Sequence, residues 1–204
     1  MTTYAVIDFE TTGLSPAHGA RPTEIAIVIV RKDKIVDRYQ SLMNPGVPIP
    51  YEIQTITGIT NEMVRTAPAV KQVMAKAAQF VGRHPIVAHN AAFDRKFWER
   101  EIRLSMSAGG NPFVCSLLLA RRLFPQASNH KLQTLVNLLS LPTQGTYHRA
   151  LADAECTAYL LIRLQQELID RYKVRAVDCG LLLAIQAASR YQLAQCVQRY
   201  QGVR

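Results

Sequence analysis

The 204-residue chain is short of cysteine, of long apolar runs and, above all, of acids. Its four cysteines, Cys115, Cys156, Cys179 and Cys196, form no C-x-x-C pair and no small-domain spacing. That excludes a disulfide framework and a cysteine-built zinc site, and predicts reduced thiols in a cytoplasmic protein. A membrane helix needs about 20 consecutive apolar residues, and the longest clean runs, Ile25–Val30 and Leu181–Ile185, are far shorter. No membrane contact is expected. No secretory leader is expected, because no basic segment opens the chain and Asp8 and Glu10 interrupt the first apolar stretch. Internal repeats and low-complexity tracts are missing, and at 49% hydrophobic residues against 19% charged the chain is not disordered. The shortage of negative charge says most. Fifteen Asp and Glu face 24 Lys and Arg, a net charge of +9. This calls for an anionic partner, although nucleic acid, an acidic protein and simple solubility all fit charge alone.

What is present reads as layered α/β structure. Tyr4–Phe9 is almost continuously apolar, as a buried strand is, and ends in acidic residues. Glu24–Val30 is a second such strand. The polar turn Arg31–Lys34 leads to a third, Ile35–Gln40, so the three predict an antiparallel meander. Pro45, Pro48 and Pro50 mark a loop. Between Pro68 and Arg83, Val70, Val73, Ala77 and Val81 fall at helical spacing. Ile86–Ala88 is a short strand, and helices are expected at Phe93–Leu104, Ser116–Leu123 and Asn129–Leu139. The longest helix, Arg149–Arg171, stacks Leu160, Leu164 and Leu168 four apart. Strands first, then helices alternating with short strands, predict a mixed sheet covered by helices. Residues 171–204 hold six Lys/Arg and one Asp, more than half of the net charge. The division expected is therefore 1–170 as one domain and 171–204 as a basic, helical extension.

Three motifs carry the chemistry. In D-F-E-T-T-G, Asp8 to Gly13, the side chains of Asp8 and Glu10 share one strand face about 7 Å apart. Two such acids repel unless a cation lies between them, although a lone D-x-E also ends many strands at a wet surface. In A-H-N-A-A-F-D, Asp94 stands at a helix start, where the dipole alone favours an acid. In H-R-A-L-A-D-A, His148 precedes Asp153 by five residues, and either alone fits an ordinary surface position. Together, four acids and a histidine sit where α/β sheets collect active sites. Hard oxygen donors suit Mg²⁺ or Mn²⁺ rather than zinc, and Mg²⁺ is commonly shared with phosphates. A basic chain with such a cluster should bind a phosphodiester and cut it.

In this order and spacing, D-F-E-T-T-G, H-N-A-A-F-D and H-R-A-L-A-D resemble the three motifs of the DEDDh exonucleases, the DnaQ-like group of the ribonuclease H-like superfamily. I-T-G-I-T-N-E-M-V (Ile56 to Val64) and Leu119–Pro125 resemble the segments that join those motifs. The resemblance spans about residues 3 to 170 and implies a mixed five-stranded sheet flanked by helices. It implies two Mg²⁺ ions, with Mn²⁺ able to substitute, held by Asp8, Glu10, Asp94 and Asp153, and His148 as general base. It further implies that Thr11, Thr12, Leu14, Glu52, Ile56 and Thr57 contact the terminal nucleotide, Leu14 as a wedge; for Ile56, core packing is the competing reading. His89 and Asn90 would hold the second motif in shape. The expected activity is release of nucleoside 5′-monophosphates from single-stranded or frayed 3′ ends of DNA. RNA trimming is the near alternative, disfavoured because only Phe9 among aromatics adjoins the first motif. Leu193, Val197 and Tyr200 at i, i+4 and i+7 give the extension an amphipathic face. It would pack back onto its own domain, dock a DNA polymerase or a second copy of the chain, or grip DNA.

Overall fold

The computed structural model describes residues 2–105, 110–143 and 149–202. Strand β1 (Tyr4–Thr11) pairs antiparallel with β2 (Pro22–Arg31), and β2 with β3 (Lys34–Leu42). Lys32 and Asp33, both at positive φ (51° and 59°), make the two-residue turn between β2 and β3. Such mirror-image turns match the right-handed twist of the strands they join. After the proline loop come two short helices, α1 (Tyr51–Thr57) and α2 (Asn61–Arg65), and then α3 (Val70–Val81). Strand β4 (Ile86–Ala88) and helix α4 (Ala92–Ser105) follow, then β5 (Phe113–Cys115), α5 (Ser116–Leu123) and α6 (Leu132–Leu138). The long α7 (Ala150–Tyr172), α8 (Cys179–Ala187) and α9 (Leu193–Gly202) complete the chain. The sheet order is β3-β2-β1-β4-β5, with β4 parallel to β1 and β5 parallel to β4. Among the described residues, no helix is long and apolar enough to cross a membrane.

Alternation along the central strands divides the core in two. Tyr4 and Val6 of β1, with Ala26, Val28 and Val30 of β2, face the layer of α5, α7, α8 and α9. Ala5, Ile7 and Phe9, with Ile25, Ile27 and Ile29, face α3 and α4. Both sides of β2 are thus apolar, which is why it reads as an unbroken run. Leu160, Leu164 and Leu168 form the seam of α7 and are fully buried.

The C-terminal helices close the structure at its edge. Leu181, Leu182, Ile185, Leu193 and Val197 join the same core cluster as β1 and α7. Strand β5 lies at the margin of the sheet, where its outward backbone groups need partners. Gln186 of α8 supplies them: its Oε1 accepts from the Cys115 N–H (2.7 Å) and its Nε2 donates to the Phe113 carbonyl (3.2 Å). Helices α1 and α2 stand apart, over a small cluster of Ile49, Ile59 and Val64.

Candidate active site

The acidic site grows out of the row of β1 side chains that faces α7. Tyr4 and Val6 fill that row with apolar surface, and Asp8 and Glu10 continue it at the strand's end. The ladder between β1 and β2 slips between Glu10 and Thr11, an irregularity of the kind that re-aims side chains beside active sites. Asp153 lies in the first turn of α7, which packs across β1 and β2. Donor oxygens of Asp8, Glu10 and Asp153 all lie within 4.8 Å of one another.

Asp94 comes from the opposite layer, in the first turn of α4, and is 2% exposed. Asn90 turns the chain from β4 into that helix in the left-handed region (φ 67°), which asparagine tolerates better than most residues. His89 braces the turn: one ring nitrogen meets the Ser116 hydroxyl at 3.0 Å and the other the His130 carbonyl at 2.9 Å. Burial, acting first, lowers the His89 pKa. The ring is then neutral, its Nε2–H donating to the carbonyl and its Nδ1 accepting from Ser116.

Every carboxyl of the cluster with a resolved shift resists ionisation. Asp8 is pushed well above the ordinary range by burial first, then by Asp94, Asp153 and Glu10. Glu10 is raised to about 8 by burial and by Asp153 and Glu24, with Arg149 pulling it back. Burial raises Asp94 to about 7, against hydrogen bonds from its own backbone N–H and that of Phe9. The site therefore lacks positive charge. A divalent cation satisfies that need, and the all-oxygen donor set fits a hard ion such as Mg²⁺ or Mn²⁺.

The other expected site residues divide into those beside a groove and those buried in local bonds. Thr11 donates to the Gly13 carbonyl (2.7 Å), and the Thr12 hydroxyl accepts from the Arg21 N–H (3.0 Å). Leu14 is 84% exposed. With Thr12, Val47, Pro48 and Pro50 it lines a 430 Å³ groove between the first motif and the proline loop. From Pro50 the chain enters α1, on which Glu52 is exposed and Ile56 is 57% exposed, so Ile56 is not core. Thr57 is buried, donating to the Ile53 carbonyl at 2.9 Å. His148 lies outside the described residues. Sequence reasoning missed Glu24, which lies opposite Glu10 in the β1–β2 ladder and is fully buried. Its only signal was an acid opening an otherwise apolar strand.

A family model of exonucleases matches residues 5–161. The chain belongs to the exonuclease family. Its fold is that of the DnaQ-like, ribonuclease H-like exonucleases, as the sequence motifs anticipated, and the protein is a nuclease. Among solved structures, exonuclease X in complex with 5′-overhanging duplex DNA superposes with a TM-score of 0.71 at 30% identity, over 90% of this chain and 99% of that one. Exonuclease I superposes with a TM-score of 0.70 at 19% identity, over 85% of this chain and 43% of that one, a likeness of fold. Among curated relatives, the PolC-type DNA polymerase III of Bacillus cereus is 40% identical over 170 residues, which is 83% of this chain. That of Bacillus subtilis is 37% identical over 171. The nuclease spans only 12% of the length of either polymerase.

Proposed function

We propose that this nuclease is a 3′–5′ exonuclease that removes nucleoside 5′-monophosphates from single-stranded or frayed 3′ ends of DNA in the cytoplasm. The observation that carries the reading is the convergence of Asp8, Glu10 and Asp153 within 4.8 Å beside the buried Asp94. The likeness to exonuclease X, solved on a duplex with a 5′ overhang, supports DNA as substrate. A duplex of that kind ends in a recessed 3′ strand.

Asp8, Glu10, Asp94 and Asp153 would hold two divalent ions, Mg²⁺ or Mn²⁺. When bound, such ions stabilise charge on the attacking and leaving oxygens of an in-line displacement. His148 takes a proton from the attacking water, for which an imidazole titrating near neutrality is suited. The water oxygen bonds to phosphorus, the bond to the penultimate nucleotide's 3′ oxygen breaks, and that oxygen takes up a proton. Leu14 and the groove wall of Val47 and Pro48 offer apolar contact to the last base without reading its identity. Thr11, Thr12, Glu52, Ile56 and Thr57 frame the approach to it. Residues 1–170 form the catalytic unit, and α8 and α9 contribute to its core and sheet edge.

The test compares labelled single-stranded DNA, recessed-end duplex and short RNA, each with Mg²⁺ and with Mn²⁺. Mononucleotides should be released from DNA in preference to RNA. Asp8→Asn and Asp153→Asn should stay folded and lose about 10³-fold in rate, the loss of several kcal/mol of charge stabilisation. A wild-type protein that releases no mononucleotide from any 3′ end sinks the reading. The identity to PolC-type polymerases favours a second setting, proofreading beside a DNA polymerase. In that setting the outward polar face of α8 and α9, whose apolar face is already packed on this chain's own core, docks the polymerase or a second copy of the chain.

A further inference from the structure

Glu24 poses an electrostatic problem. It continues the β2 row of Ala26, Val28 and Val30 toward the acidic site, and it adds to the repulsion felt by Asp8 and Glu10. Its oxygens are not in the convergent set of Asp8, Glu10 and Asp153; protein donors take them instead. Arg149 forks onto the carboxylate, Nη2 to Oε1 at 2.8 Å and Nε to Oε2 at 3.2 Å. Gln40 donates to Oε1 at 2.9 Å, and the Ala150 N–H to Oε2 at 3.2 Å.

That last bond explains a gap in the third motif. The first N–H groups of a helix have no partner within it and are usually met by a Ser, Thr, Asp or Asn side chain at the N-cap. In α7 the N-cap is Arg149, whose side chain caps no N–H of the helix. The cap comes from Glu24 of strand β2 instead. One turn on, the Asp153 N–H donates to the Arg149 carbonyl (3.3 Å), so the turn anchored at Arg149 is the one that bears Asp153. Successive residues of a helix are rotated by about 100°, and a start displaced by one residue would aim Asp153 away from Asp8 and Glu10.

We propose that Glu24, through Arg149 and Ala150, is the positioning residue of the third motif. It fixes the start of α7 so that Asp153 meets Asp8 and Glu10, and Arg149 offsets part of the charge that Glu24 adds beside Glu10. This rests on the nuclease reading above. Residues one step behind a metal's ligands commonly govern its affinity by about 10- to 100-fold.

Glu24→Gln keeps the shape of the side chain and removes its charge. Titrated calorimetrically with Mn²⁺ alone, the folded variant should bind about 10- to 100-fold more weakly than wild type. Its kcat should fall in parallel, while KM for single-stranded DNA stays within about twofold. Arg38→Gln serves as control, since it cuts the other ion pair between the sheet and α7, Arg38 to Glu155 (2.5 Å). It should lower Tm yet leave Mn²⁺ affinity within about twofold. Should Glu24→Gln fail to fold, Arg149→Lys takes its place; it keeps the charge but loses the fork, and should weaken Mn²⁺ binding about tenfold. Wild-type Mn²⁺ affinity in either folded variant overturns the proposal, as does an equal loss in Arg38→Gln. A wild-type protein that neither binds Mn²⁺ nor releases mononucleotide removes both this inference and the nuclease reading. A normal wild type with an unimpaired Glu24→Gln removes this inference alone.

Discussion

Raising the pH of the metal-free protein should destabilise it, because the acidic cluster holds protons in the folded state that the unfolded chain has released. Glu10 is raised to about 8 and Asp94 to about 7, against ordinary carboxyl values near 4. Their protonated forms favour folding most below the ordinary value, and the advantage is lost as pH climbs through the folded value. In between, each retained proton costs about 1.4 kcal/mol of stability per pH unit. Buried His89 gives the opposite slope, but only below about pH 6.5, where an unfolded histidine takes up a proton. A comparison of pH 6.5 with pH 8.5 therefore excludes the histidine, leaving the acids and a small contribution of the same sign from buried Cys156 and Cys179 at its upper end. Over the 1.5 units up to its folded value, Glu10 alone accounts for a loss of about 2 kcal/mol, and Asp8 acts in the same direction. Asp94, raised by burial to about 7, adds a smaller loss in the same direction. For a chain of this size, about 2 kcal/mol corresponds to a fall in Tm of about 4–8 °C. Calorimetric melts in a chelator at the two pH values measure it directly. Excess Mg²⁺ should reverse the slope, since bound cation favours the ionised acids, and Asp8→Asn should flatten it. A metal-free Tm that is level or rises between pH 6.5 and 8.5 refutes the charge picture of the site.

Two further outcomes follow from the packing. A Cβ added at Gly180 would lie 2.3 Å from the Tyr200 hydroxyl, which is itself held by Asp178 at 2.6 Å. Gly180→Ala should therefore push the Tyr200 ring off its bond to Asp178 and cost about 1–3 kcal/mol, read as a lower Tm that Tyr200→Phe partly restores. Leu14→Ala should leave Tm unchanged, because the side chain is exposed, and should weaken capture of a single-stranded 3′ end by about 3- to 10-fold, below the 1–3 kcal/mol of an aromatic stack. Equal KM values for the two proteins on a short oligonucleotide would remove Leu14 from the site.

Much of this architecture is written in local sequence. The unbroken apolar runs of β1 and β2, the polar turn at Lys32 and Asp33 and the four-residue spacing of Leu160, Leu164 and Leu168 each have one period and one meaning. Helices α1 and α2 were not legible. They follow a proline loop, α1 uses weak helix formers, Ile53, Thr55, Ile56 and Thr57, and α2 is only five residues long. Side-chain bonds hold them instead: Asn61 Oδ1 accepts from the Ile49 N–H at 2.8 Å, and Gln54 donates to the Ile49 carbonyl at 2.9 Å. Strand β5 was missed because three residues carry no period. It exists because β4 pairs with it on one side and Gln186 on the other. The exposure of Ile56 was equally hidden, since one apolar residue in a short helix looks the same whether it faces core or solvent.

The sequence by itself determined which side chains could do chemistry. The alternation of a strand aligns Asp8 with Glu10, and two further short motifs place Asp94 and Asp153 at helix starts, all set by the local geometry of the chain. Tertiary structure decided which of those acids meet. The β1–β2 register set Glu24 opposite Glu10, the docking of α7 brought Asp153 within 4.8 Å of both motif-one acids, and the Glu24–Arg149 fork fixed where that helix begins. Such facts depend on contacts between residues up to 145 positions apart, whose pairing is settled by burial and charge compensation rather than by any local pattern.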